Sequence, residues 1–220
     1  MRGGMIENKI NVRQIIFSPD MVHAILDGRK TMTRRVVKHP PFLDHHGKFS
    51  VKYLDDGFFS AGYYGFCQQC ENDEPIRLIC PYGEPGDHLL VREAWRVDRY
   101  WDIVEPSHLP PRISIEYRAG PKHLEDPGKY RSPWFMPWRM SRIRLEIVNV
   151  RAERLQDISE EDAKAEGAIK TPKDKTYKDN FKAIWIKIKG RDSWESSPWV
   201  WCIEFKGAAL GGCRYSGGRS

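Results

Sequence analysis

The chain has 220 residues, 40% of them apolar and 30% charged, which is the composition of a globular chain rather than a disordered one. At this length one domain or two small ones fit, and no run approaches the roughly 18 consecutive apolar residues that a membrane span needs. Lys and Arg outnumber Asp and Glu by 36 to 30, a formal charge of +6 that permits a polyanionic partner without demanding one.

Residues 1–12 lack an apolar signal core and read as a flexible extension of a cytoplasmic protein with no membrane partner. Gln14 to Phe17 is an apolar run that predicts a short buried strand. Ser18, Pro19 and Asp20 then read as a helix start: a hydroxyl N-cap, a proline whose missing N–H costs nothing at the first position, and an acid near the positive helix end. Met21, Val22, Ile25 and Leu26 continue it as an apolar stripe, and Gly28 suits its C-terminal stop. Arg29, Lys30, Thr31 and Thr33 therefore emerge just past a helix end, where departing chain can carry side chains into a cleft. Arg29, Lys30, Arg34, Arg35 and Lys38 also fall within ten residues that hold no acid, which predicts a local positive field.

Residues 39–80 are irregular and read as an insertion with a small hairpin around Phe49 to Tyr53. They hold Cys67, Cys70 and Cys80, three of the five cysteines, and an odd count without a secretion signal argues against a disulfide framework. Those three thiols with His45, His46 or His88 are a candidate zinc set. The paired cysteine motif occurs only once, so a loop of reduced thiols is the expectation, with no metal.

Pro81 to Asp87 is turn chemistry leading into a strand from His88 to Trp95. Within that strand Glu93 is a candidate second site carboxylate. Residues 98–135 form a second irregular insertion, with Ile113 to Tyr117 as a strand inside it. Trp134 and Trp138, in a Pro-rich run, are either platforms that stack a base or lids on the core. Trp95, Trp185, Trp199 and Trp201 read as core residues.

Arg142 to Val150 alternates polar and apolar residues, the pattern of a strand with one wet face. Ser159, with Asp162 three positions on, resembles a capping box and predicts a helix to Glu166 with a stop at Gly167. Asp179 to Lys189 reads as another helix, with Phe181, Ile184, Trp185 and Ile188 on one side. Pro198 to Phe205 is a closing strand, and residues 207–220 are expected to be a disordered tail. Several strands with a few interspersed helices indicate an α+β fold whose sheet curls into a barrel.

Gly28-Arg-Lys-Thr-Met-Thr-Arg-Arg35 resembles the Gly-x-Lys-Thr-x-Thr-x-Arg signature of ASCH domains, relatives of the PUA-like RNA-binding barrels. The order of features over residues 14–206 is also similar: helix and signature, a Gly86-Asp87 turn into a strand, Arg142–Val150, a short acidic helix and a closing strand. Pro81–Trp95, Met136–Val150 and the closing strand look especially like ASCH proteins encoded by phages and prophages. The resemblance implies a PUA-like mixed β-barrel over residues 13–206, with flanking helices and the two insertions at 39–80 and 98–135. One branch of that family removes the acetyl group from N4-acetylcytidine with a Lys and a Thr of the signature and a Glu of the acidic helix. By motif these are similar to Lys30, Thr33 and Glu166. Arg29, Thr31, Arg34, Arg35, Glu93 and Trp138 are the candidate substrate-binding residues around them.

Amide hydrolysis needs a nucleophile, a base and an acid for the departing nitrogen. A threonine hydroxyl attacks only when a neighbour takes its proton, and a lysine does so only when desolvation or nearby cations lower its pKa. A glutamate in a partly apolar pocket can protonate the amine. Residue type alone leaves plainer roles open: an ion pair for Lys30, a strand-edge or capping position for Thr33, a solvated helix end for Glu166. Three functions share the cleft, with RNA or a modified nucleoside as partner and no cofactor: an amidohydrolase of an N-acylated cytosine nucleoside, a non-catalytic reader of RNA or a modified base, and an ASCH-type ribonuclease.

Overall fold

The computed structural model describes residues 10–38, 49–53, 59–63, 76–173 and 175–209. In its first half the elements are β1 (Val12–Ile16), α1 (Pro19–Leu26), β2 (Met32–Val36), β3 (Phe49–Tyr53), β4 (Phe59–Tyr63), β5 (Ile76–Leu78) and β6 (His88–Arg92). Then follow β7 (Trp95–Arg96), β8 (Glu116–Tyr117), β9 (Ile143–Arg154), α2 (Glu160–Ala165), α3 (Tyr177–Lys189), α4 (Arg191–Glu195) and β10 (Trp199–Ala209). The fold is α+β, and among the described residues no helix is long and apolar enough to cross a membrane.

Five strands form one mixed sheet in the order β1-β6-β9-β10-β2. β1 runs parallel to β6, as a crossover through a helix and a long insertion allows, and the other pairs are antiparallel. Alternation along β9 puts Ile143, Leu145 and Ile147 on one face, where they meet Leu89, Val91, Ile203, Phe205 and Phe17 in the main core. On the other face of β10, Val200 and Cys202 pack with Leu155, Ile158, Phe181 and Trp185 beneath α2 and α3. A third cluster around Trp95, Val97, Leu109, Met136 and Met140 gives the second insertion its own small core.

The expected barrel is not closed. Closure requires the edge strands β1 and β2 to share a backbone ladder, and they do not. Instead the Arg35 guanidinium of β2 donates to the Ile16 carbonyl of β1 at 2.8 Å, so a side chain bridges the place where a ladder would run.

Other boundaries move for identifiable reasons. β1 starts at Val12, inside the stretch expected to be flexible, because Val12 to Ile16 pair in register with His88 to Arg92. The strand expected over 88–95 breaks after Arg92, and Trp95–Arg96 pairs instead with Glu116–Tyr117, which is all of the 113–117 stretch that forms a strand. Residues 207–209 belong to β10 rather than to a tail, paired against Ile143–Leu145. The hairpin expected at Phe49–Tyr53 forms with β4, and β5 adds a third strand. α3 begins two residues before Asp179, because Thr176 and Asp179 make a reciprocal capping box there.

Candidate functional site

Two helix ends meet back to back to build the site. α1 is started by the Ser18 hydroxyl, which accepts from the Met21 N–H, and it is released at Gly28 in the left-handed region (φ 71°). The Arg29 and Lys30 N–H groups bond back to the Ala24 carbonyl, which turns the chain sharply into β2. α2 is started by Ser159 and released at Gly167 (φ 90°), where an added Cβ would lie 3.2 Å from the Cβ atoms of both Ala24 and Lys30. Only glycine permits that approach and that backbone. The exits are then stitched together: Lys30 and Glu166 form an isolated antiparallel bridge, and the Thr31 N–H donates to the Ala165 carbonyl at 2.8 Å.

This stitching sets the chemistry. The Lys30 ammonium donates to the Glu166 carboxylate (Nζ to Oε2, 2.6 Å) and to the Glu166 main-chain carbonyl (2.8 Å), a cation capping a helix C-terminus. Lys30 is 2% exposed and Thr33 3%, and both line a hollow of about 300 Å³ with Glu166, Arg34 and Arg35. Its apolar wall is Met21 and Ala24 of α1 with Phe181, Ile184 and Trp185 of α3; Lys187 and Lys189 also line it. The volume lies at the lower end of ligand sites. Among the described residues the Thr33 hydroxyl has no hydrogen-bond partner, and the buried Nε–H of Arg35 has no acceptor.

Burial pulls the Lys30 ammonium below its ordinary 10.5, against the pull of Glu166; Arg35 and Arg34 push the same way as burial. Arg35 is lowered by burial as well. Behind the cavity, Arg34 is the hub of a charge network. It binds Glu153 of β9 and Asp162 of α2 (2.6 Å), and lies 3.5 Å from Glu166. Arg151 joins Asp162, Glu153 and Glu204 to the same network. The capping box expected at Ser159 is therefore only half made. Ser159 caps the Asp162 N–H, but the Asp162 carboxylate turns to Arg34 and Arg151, where two cations outbid one backbone N–H.

The predicted set divides cleanly. Lys30, Thr33, Glu166, Arg34 and Arg35 converge on the cavity. Arg29 is exposed and pairs with Asp27 at 2.8 Å, and Thr31 is exposed outside the cavity lining. Glu93 is buried elsewhere in a two-pronged pair with Arg142 (2.8 and 2.9 Å), because that arginine, just before β9, reaches over the strand break and takes it. Trp138, at 68% exposure, is neither a core lid nor part of the cavity; it lines a separate hollow. Phe181, Ile184 and Trp185 were legible as one helix stripe, but a stripe cannot say that part of it faces a cavity. Glu153 and Arg151 gave no signal of their own in the sequence, and Asp162 gave only that of a helix cap.

Neither described thiol is set up for attack. Burial raises the Cys202 thiol far above its ordinary value, and the Cys80 thiol is pushed up to about 11 by burial despite N–H groups of Tyr82 and Gly83. Cys67 and Cys70 lie outside the described residues, as do His45 and His46. Among the described residues no three His, Cys, Asp or Glu side chains are grouped as a metal site requires. His88 faces Arg144 through its Nδ1.

Compared with known proteins, the chain matches no family model, no curated protein and no solved structure.

Proposed function

We propose that the cavity of this ASCH-like, PUA-related domain takes up the base of an N-acylated cytosine nucleoside, free or within RNA, and hydrolyses its amide. The observation that carries this reading is the Lys30–Glu166 pair, 2.6 Å apart, on the same apolar-walled hollow as a Thr33 hydroxyl that no described side chain engages. A structural ion pair needs no cavity and no spare nucleophile beside it.

In the proposed reaction Lys30 acts in its neutral form, which burial favours. Its amine takes the Thr33 proton as the hydroxyl oxygen bonds to the acyl carbon. The carbonyl oxygen becomes an oxyanion, and the unengaged Arg35 Nε–H is the candidate donor to it. Collapse breaks the carbon–nitrogen bond, and the proton held by Lys30, relayed by Glu166, passes to the departing amine. Water then attacks the acyl-threonine and returns the hydroxyl, with the carboxylic acid as second product. Direct attack by water on the amide, with the same base and acid, is the other order of steps.

Incubation of purified protein with N4-acetylcytidine tests the reading. The expected result is free cytidine, lost in Lys30→Ala and Thr33→Ala. Intact substrate with saturable, salt-sensitive RNA binding in the same cavity makes the protein a reader. Cleaved RNA makes it a nuclease.

A further inference from the structure

A second site lies at the other edge of the sheet and does not depend on the amidohydrolase reading. Across β1, β6 and β9, Gln14 stands opposite Leu90 and Leu90 opposite Arg144, one row on the face turned away from the main core. Trp138 borders this row, and the segment 133–138 that carries it leaves three large aromatics in the open: Trp134 and Trp138 at 68% and Phe135 at 63% exposure. Between Trp138, Arg144 and the exposed Val12 lies a hollow of about 510 Å³ that shares no lining residue with the Lys30 cavity. No carboxylate lines it among the described residues.

Two arginines of this face hold donors in reserve. Arg92, two residues along β6 from Leu90, donates to the Trp134 carbonyl at 2.8 Å, yet its buried Nε–H has no acceptor among the described residues. Arg144 is turned to His88 through one terminal nitrogen, and its buried Nε–H is likewise without an acceptor. Among the described residues neither guanidinium is paired with a carboxylate, so an incoming anion beside them is favoured. Exposed indoles beside cationic N–H donors, with no acid between them, match a ligand that is aromatic and anionic at once. Single-stranded nucleic acid is such a ligand: its bases stack on aromatic side chains and its phosphates accept from arginine.

We propose that the hollow between Trp138 and Arg144 binds single-stranded nucleic acid, with a base stacked on Trp138 and the phosphate backbone held by Arg144 and Arg92. The test is fluorescence anisotropy of the full-length protein with labelled uridine and thymidine decamers, which contain no cytosine for the Lys30 cavity. Trp138→Ala should raise Kd about 5- to 150-fold, the range for loss of one stacked base. Arg144→Glu should weaken binding further, and affinity should fall as salt rises. Lys30→Ala should leave Kd unchanged. Because Trp138 is exposed, its variant keeps the fold, and circular dichroism checks this. Binding of either polymer supports the site, and their ratio says which strand it takes. Equal Kd for wild type, Trp138→Ala and Arg144→Glu overturns the proposal. So does a loss seen only in Lys30→Ala, or light scattering showing that Trp138 holds two copies of the chain together.

Discussion

Glu116 and Glu166 are both buried carboxylates beside a cation, and their surroundings differ in a way that separates a structural pair from a candidate catalytic one. Glu116, in the second insertion, accepts from Arg96 Nε at 2.6 Å, from the His123 and Leu124 N–H groups at 3.0 and 3.4 Å, and from the Tyr130 hydroxyl at 3.4 Å. Arg96, Arg118 and Lys122 all sit over the Tyr130 ring. Burial works against its charge, yet the bonds from His123, Arg96 and Leu124 hold its carboxyl down at about 2. Nothing there is left over. Glu166 receives Lys30 and the edge of Arg34, but it faces a hollow where a threonine hydroxyl and an arginine N–H have no partner among the described residues. Ionic burial alone therefore says little about function; unsatisfied neighbours on a shared cavity say more.

The largest effect should fall on turnover. Lys30→Met keeps much of the side-chain volume and removes the base, so kcat on an N-acylated cytidine should drop by about 10²- to 10⁴-fold, as for loss of a general base. Thr33→Ala should do as much if an acyl-threonine forms, and mass spectrometry of the quenched enzyme would show that adduct. Turnover unchanged in both variants would make Glu166 as structural as Glu116.

Next comes Glu116→Ala, which strands Arg96 and two backbone donors. Breaking a buried pair from one side costs about 3–5 kcal/mol, read as a lower urea midpoint at constant slope. Cytidine release at a temperature where the variant is still folded should stay at the wild-type rate. A loss of activity without loss of stability would erase the distinction between the two carboxylates.

The sequence made local devices legible and long-range ones obscure. Ser18-Pro19 at the start of α1, Gly28 and Gly167 at the two exits and the alternation along β9 are written within a few residues, and each sits where expected. Lys30, Thr33 and Glu166 line one cavity, although 136 residues separate the first from the last. Glu93 and Trp138 were misplaced because a strand position or a Pro-rich run does not say which partner arrives from far along the chain. For Glu93 that partner was Arg142; for Trp138 it was the far edge of the sheet. Asp162 shows the competition directly, since its local capping role lost to Arg34 and Arg151.

A smaller effect probes the Lys30–Glu166 pair as a pair. Glu166→Leu alone leaves a buried ammonium without its carboxylate and should be clearly destabilising, whereas Lys30→Met with Glu166→Leu should recover that loss. Replacing both members of a buried pair with apolar groups is often neutral, or stabilising by about 1–4 kcal/mol. Chemical denaturation of the two single variants and the double gives the coupling directly. If the double variant is as unstable as Glu166→Leu, the pair holds the two helix exits together and is not retained for chemistry.

Stability and turnover should also respond to pH, and the two sites should show this at opposite ends of the scale. Glu116 has a folded value of about 2 against an ordinary 4.5, so its contribution is complete above 4.5 and fades as pH falls towards 2. The stability gap between wild type and Glu116→Gln should therefore narrow across that interval; a gap that stays constant would show that the carboxylate charge is not what the cluster uses. Lys30 is shifted down, so below 10.5 the unfolded chain holds its proton more tightly than the folded one, and stability should rise with pH from the folded value up to 10.5. Lys30→Met should flatten that rise. The same lowered value should appear in wild-type turnover as an ascending limb centred below 10.5, because only the neutral amine can take the Thr33 proton. An ascending limb at 10.5 itself would mean that burial had not prepared this lysine for its role.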